Sequence, residues 1–399
     1  SNFKFQISNF ITYALLASGI VVSFIVLLAV TGVLDSIGSL PGFMKAQTFS
    51  PLGAPLPAGV FLIALVPLII GRIAEFLKDK LMVSLHFGLL SVILLSVVAL
   101  GSQVVFNQAS QVRLLPMSSG WAIAVETLKH SPLGVGPGNF LNAFSQYKPI
   151  EFNQSSVWNL RFGASSNWYF QVWTEIGIVG LIAFLLIIWQ FLAISRDREL
   201  EAGSHIRYTI YVILVLFFVV PAGFVLREVF YLMLGLLAIN RSRPATINIR
   251  FGPQIVFLLI AGGAITLFTF GIRVYGAELS YKKALDAGIK NNAQGLIDNL
   301  NAAISANPTV DRYHISASQA LFAIADSLAR QKGSNATDQE REAISNYVLD
   351  SIKQAKIAIA FNNQRAGNWE NLASIYRALV TMVEGIDQLS VQTYNQAIS

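Results

Sequence analysis

Residues 10–32 read FITYALLASGIVVSFIVLLAVTG, a run without one charged side chain. About 18–20 apolar residues are what an α-helix needs to cross a bilayer core, where every backbone polar group must be satisfied within the segment itself. The same absence of charge recurs over 46–71, 81–100, 176–194, 208–226 and 251–272. A shorter run, 229–240, makes a seventh span if it borrows from the turn around Pro221 and Gly223. Buried helices of a large soluble core seldom run so long without a charge. The expected fold is therefore all-α: a polytopic membrane helix bundle of about seven transmembrane helices.

Composition points the same way. Charged residues make up 13% of the 399 and hydrophobic ones 54%, whereas a soluble domain carries about 25% charged residues. The net charge of +6 gathers in short loops between the spans, which is a pattern of membrane topology and not of nucleic-acid binding. There is no cysteine, so neither disulfide nor thiol chemistry is available. Ser1 is followed at once by a span with no leader-like n-region or cleavage site. The expectation is a chain that starts partway through a longer protein.

Orientation follows from where Lys and Arg cluster, since short basic loops stay cytoplasmic. Arg72, Lys78 and Lys80 share one loop, Arg196, Arg198 and Arg207 another, and Arg241, Arg243 and Arg250 a third. All three fall on one side if the spans alternate, and Lys4 joins them. The opposite, extracytoplasmic side then receives the long loop 101–175 and the tail 273–399, beyond a membrane domain of residues 1–272.

The tail has ordinary soluble composition and a weak internal repeat. Ala303-Ile304-Ser305-Ala306-Asn307-Pro308 recurs as Ala358-Ile359-Ala360-Phe361-Asn362-Asn363, and starts again at Ala397-Ile398-Ser399. Leu296, Leu300, Ala303 and Pro308 fit the second half of a tetratricopeptide repeat; Trp369, Leu372, Ala373 and Tyr376 fit its first half. The intervals exceed the ideal of about 34 residues, so an insertion is expected, with 332–339 as one such loop. The tail is read as tetratricopeptide-like helical hairpins, a natural seat for a protein partner.

The long loop carries the candidate chemistry. A helix around 118–129 leads into Ser131-Pro132-Leu133-Gly134-Val135-Gly136-Pro137-Gly138-Asn139-Phe140. The glycines are neither a phosphate loop nor a dinucleotide fingerprint, and by themselves read as a turn at the membrane surface. Arg113, Lys129, Lys148 and Arg161 are either solvated loop charges or an anion site on the side where topology asks for no basic cluster. Arginine suits a diphosphate because its planar fork donates two hydrogen bonds to adjacent oxygens.

The run from Trp121 through Ser131–Phe140, then Asn167-x-Tyr169 and Glu175-x-Gly177-x-x-Gly180-Leu181, resembles the O-antigen ligase/polymerase superfamily over about residues 81–272. Its members are membrane glycosyltransferases with a large periplasmic loop, and a tetratricopeptide tail after the last span is common among them. The resemblance implies transfer of a glycan from a polyprenyl-diphosphate donor to a lipid, polysaccharide or protein acceptor, without a metal. It implies that Arg113 and Arg161 bind phosphate and that Asn167 and Tyr169 belong to the substrate site. Many ligases place a His before that Asn; here it is Ser166, which is no general base unaided. Glu175 and His130 are the candidate substitutes, although His130 equally suits a cation at a helix C-terminus.

Arg227-Glu228 interrupts the apolar stretch near its extracytoplasmic end. Ionisable residues at such depth face a polar cavity or one another, unless the pair sits in an interfacial turn. Arg227 joins the expected substrate-binding set. Two functions are carried forward: a glycan ligase or polymerase, and an inactive relative that anchors an extracytoplasmic repeat scaffold.

Overall fold

The computed structural model describes residues 2–106, 112–195, 204–241, 253–380 and 382–398. Among them there are fourteen α-helices and no strand. The chain divides into two compact units, Ser1–Ala245 and Thr246–Ser399. The expected boundary at 272 falls inside one continuous helix, α9 (Pro253–Ile289). No proline interrupts α9 after its first position, so the apolar run and the first tail helix form a single rod that belongs to the second unit.

The first unit contains α1 (Asn2–Val30), α2 (Pro55–Glu75), α3 (Lys80–Phe106), α4 (Met117–His130), α5 (Phe140–Tyr147), α6 (Trp168–Ser195), α7 (Ser204–Val219) and α8 (Phe224–Arg241). Among the described residues, four segments are long and apolar enough to cross a membrane: Gln6–Val30, Pro55–Glu75, Lys80–Val104 and Trp168–Ser195. The expected span 208–226 does not run through. The helix stops at Val219 and a new one starts at Phe224, because Pro221 has no N–H to donate and its ring clashes with the preceding turn. That leaves α7 a shorter apolar helix, and α8 a helix with Arg227 and Glu228 in its first turns.

Helix α2 is the centre of the bundle, touching α1, α3, α7 and α8. Its residues Ala58, Phe61, Leu62, Leu65, Leu68 and Ile69 are buried. Small residues set the close approaches. A Cβ at Gly19 of α1 would meet Leu65, and one at Gly71 of α2 would collide with the His205 side chain of α7. Without a strong hydrophobic drive between helices in lipid, such backbone proximity and dispersion contact hold spans together.

Arg72 corrects the topology count. It is not a loop charge but a buried residue in the last turn of α2. Its Nη1 donates to Glu75 at 2.6 Å, its Nη2 to Asn9 Oδ1 of α1 at 2.7 Å, and its guanidinium lies over the Tyr13 ring. His205 is buried in α7 with Nδ1 3.4 Å from Glu75. An arginine paired in this way is a clamp between helices and weighs little in a count of loop charges. Arg196, Arg198, Arg243 and Arg250 lie outside the described residues, as do the side chains of Lys4 and Arg241.

The second unit packs α9 on α10 (Ala293–Ala306), α11 (Asp311–Lys332) on α12 (Asp338–Phe361), and α13 (Ala366–Ala378) on α14 (Ile386–Ile398). The two recurring sequence blocks close α10 and α12 with one backbone turn. Asn307 and Asn362 take φ/ψ of −145/83 and −148/84, and each donates its N–H to the alanine four residues back. Those alanines, Ala303 and Ala358, are fully buried. The residues before the next helices, Val310 and Arg365, match as well, at −90/105 and −88/104. Asp311 at the start of α11 pairs with Arg365 and accepts from Asn368, which stitches the two turns together.

Helix α12 begins with a capping box, Thr337 accepting from the Glu340 N–H and Glu340 from the Thr337 N–H. Lys332 at 2.8 Å, with the Thr337 backbone and hydroxyl donors, holds the Glu340 carboxyl down from 4.5 to about 2. A depressed carboxyl stabilises the fold above its ordinary value and loses that contribution as pH falls toward the depressed one. Thr337→Ala is expected to weaken the tail by about 1 kcal/mol. In thermal unfolding followed by circular dichroism, the melting temperature of residues 246–399 in detergent should drop between pH 4.5 and about 2, and drop less in Glu340→Gln.

Candidate functional site

The long loop is a folded piece with its own core. Leu115, Ile123, Phe140, Ala143, Phe144 and Phe152 are buried together, with Phe162 and Tyr147 packed against them. Helix α5 was not foreseen, although Phe140, Phe144 and Tyr147 have helical spacing behind Asn139.

This piece docks on a break in α6. Gly177 has φ 70 and ψ −162 inside that helix, a conformation essentially restricted to glycine. The break frees the carbonyls of Thr174 and Glu175 and the N–H of Ile178, and the glycine turn takes all three. Val135 N–H donates to Thr174 at 3.0 Å, Gly136 N–H to Glu175 at 2.9 Å, and Ile178 N–H to Pro132 at 3.0 Å. Gly134 and Gly177 stand back to back: a Cβ on either would overlap the backbone of the other's segment. Gly134, Gly136 and Gly138 all have positive φ, and Asn139 closes the turn by donating to the Val135 carbonyl. Pro137 sits between two of these glycines.

The residues around this junction gather in part. Glu175 is 7% exposed, and its carboxylate accepts from Gln171 Nε2, whose Oε1 in turn accepts the Ser165 N–H. Asn167 is the N-cap of α6, accepting the Phe170 N–H at 2.9 Å and donating to Met117 Sδ. Ser166 is buried against Gly120 of α4, and the hydroxyls of Ser165 and Ser166 have no hydrogen-bond partner. Arg227 of α8 is half-buried with its guanidinium 4.7 Å from the Trp168 ring centre; its Nε is buried without a partner. Among the described residues no carboxylate pairs with Arg227.

Other expected site residues stand elsewhere. Tyr169 turns its hydroxyl to the Leu214 carbonyl of α7 at 3.2 Å. His130 caps the end of α4, its Nδ1 3.0 Å from the Glu126 carbonyl and its ring stacked on Tyr147. It therefore does not share the buried polar chain of Glu175. Lys148 lies over the Phe144 and Phe152 rings at 5.9 and 5.7 Å, so it covers the loop core. Arg113 and Arg161 are exposed, Arg113 reaching the Ser156 carbonyl at 3.5 Å. Among the described residues no group of three His, Asp or Glu is arranged to hold a metal.

Two partners were missed in the sequence. Gln171, one helical turn before Glu175, was legible as an i,i+4 pair; Trp168 beneath Arg227 was not, since their contact depends on how α6 and α8 pack. In the tail, α11 and α13 form a separate hollow of about 520 Å³ lined by Gln319, Phe322, Asp326, Glu370, Asn371 and Ile375. No family model, curated protein or solved structure matches the chain.

The clamp makes a graded prediction. Gly177→Ala and Gly134→Ala combine a forbidden backbone with a backbone collision, and should remove the hydrogen-exchange protection of the Val135 and Gly136 amides. Gly138→Ala meets open space and should cost only about 1–2 kcal/mol for its positive φ, leaving those amides protected.

Proposed function

We propose that the chain is a membrane glycosyltransferase, a glycan ligase or polymerase that moves a glycan from a polyprenyl-diphosphate donor to a lipid, polysaccharide or protein acceptor. In this reading α7, α8 and the start of α9 complete seven membrane-crossing helices. The long loop and the tail face the extracytoplasmic side, and the tail hairpins are tetratricopeptide-like, with the hollow between α11 and α13 open to a protein partner.

The observation that carries the reading is Arg227. A guanidinium resting on Trp168, with no carboxylate among the described residues to neutralise it, lies at the N-terminal end of α6. The helix N-terminus adds the field of its free amides. Together they suit a diphosphate, whose negative charge grows on the leaving oxygen as the sugar departs, and charge fixed in a dry site is effective transition-state stabilisation. Glu175, held by Gln171, is the candidate to deprotonate an acceptor hydroxyl. Arg113 and Arg161, exposed on the loop, would attract the anionic diphosphate of the membrane-borne donor.

The second reading, an inactive anchor for the repeat tail, draws on the same junction. Asn167 is occupied as a helix cap, Tyr169 points to α7, and Ser166 is packed against Gly120 with its hydroxyl unpartnered among the described residues. A transfer assay with purified polyprenyl-diphosphate glycan decides between them. Arg227→Ala and Arg227→Lys should each lower the rate by about 30- to 1000-fold, equivalent to about 2–4 kcal/mol, because Lys lacks the fork and the ring stacking. Arg113→Ala should do less, with an effect that fades in salt. Unchanged transfer in both Arg227 variants would remove the site assignment, and no transfer by the unaltered chain would favour the anchor.

A further inference from the structure

Helix α4 packs on α6, and Gly120, Ile123, Ala124 and Thr127 are among its buried residues. Its other edge is apolar as well and uncovered. Met117 is 41% exposed and Trp121 50% exposed, one helical turn apart. Trp121 stands against Phe170 and Trp173 of α6, with ring centres 5.6 and 5.2 Å away. Phe170, Trp173 and Ile176 recur at a spacing that places them on one stripe of α6. Past the break, Val179, Ile182 and Leu186 are exposed apolar residues of the same helix. That helix is one of the four long and apolar enough to cross a membrane. The aromatic edge of α4 thus adjoins a helix whose exposed apolar side chains lipid would cover.

The two ends of α4 differ in a way that fits such a boundary. Its first two turns present the thioether and indole, and its last turn presents Lys129, paired with Glu126 at 2.6 Å, and His130, both exposed. Indole rings favour the headgroup level of a bilayer, and cations on the polar side of an interfacial helix favour phosphate headgroups. We infer that α4 is an interfacial helix whose Met117–Trp121 edge is embedded in the headgroup–acyl boundary, so that bilayer lipid covers the Trp121–Phe170–Trp173 cluster. The inference stands apart from the glycan-transfer reading, since it concerns where the loop meets the membrane and not what reacts there.

The sequence has no cysteine, so Trp121→Cys, Met117→Cys and Ser145→Cys each give the full chain a single site for an environment-sensitive fluorophore. Ser145 is exposed on α5 and serves as the aqueous reference. In phosphatidylcholine–phosphatidylglycerol vesicles, labels at 117 and 121 should emit to the blue of the label at 145. They should lose most of their emission to a shallow doxyl lipid, while 145 keeps its own. Labels at 117 and 121 as insensitive to doxyl lipid as 145 would overturn the inference. So would shielding of those labels from iodide by soluble oligosaccharide without doxyl quenching, which would make the cluster a sugar platform. If Trp121→Cys does not reconstitute, Met117→Cys keeps the indole and decides alone.

Discussion

The interruption of α6 at Gly177 is the constraint on which the loop depends. A helix that breaks leaves backbone donors and acceptors without partners, and in a low-dielectric setting each orphan costs several kcal/mol. Here the orphans are met by Val135, Gly136 and Pro132. The loop needs the broken helix to order its glycine turn, and the helix needs the loop to tolerate its break. Glu175 lies within this junction, its carbonyl used by the turn and its carboxylate held by Gln171.

Two arginines show how burial divides one residue type into different roles. Arg72 is a closed contact: Glu75 neutralises it, Asn9 and Tyr13 complete its surroundings, and it ties α1 to α2. Arg227 has a ring on one face and no counter-charge among the described residues. Both leave Nε unpartnered, so that atom alone does not separate them. The counter-charge does, and it is why Arg227 is proposed to meet an anionic substrate while Arg72 is a helix clamp.

Much of the helical plan was legible because lipid imposes length and excludes charge. The runs 10–32, 46–71, 81–100 and 176–194 each correspond to a helix long enough to span, and the amphipathic helix expected at 118–129 is α4. Boundaries failed where the signal was not apolar length. Helix α6 starts at Trp168, ahead of its charge-free run, because Asn167 caps it and polar Gln171 and Glu175 are satisfied in its first turns. Arg72 was counted as a loop charge because a sequence does not show that Asn9 and Glu75 meet it in space. For the site, glycine spacing gave the turn, but the facing of Gly134 and Gly177 is a tertiary fact. The positions of Arg227 over Trp168 and of Tyr169 against α7 depend on helix rotation, which local sequence leaves open.

The docking of the turn on α6 is made by main-chain atoms, and Leu133 within it is 74% exposed. Such a joint separates what must be kept from what is free to drift. Its geometry depends on a few positions without side chains, while the groups it displays take no part in holding it. Selection can therefore rewrite the displayed surface one residue at a time without loosening the frame.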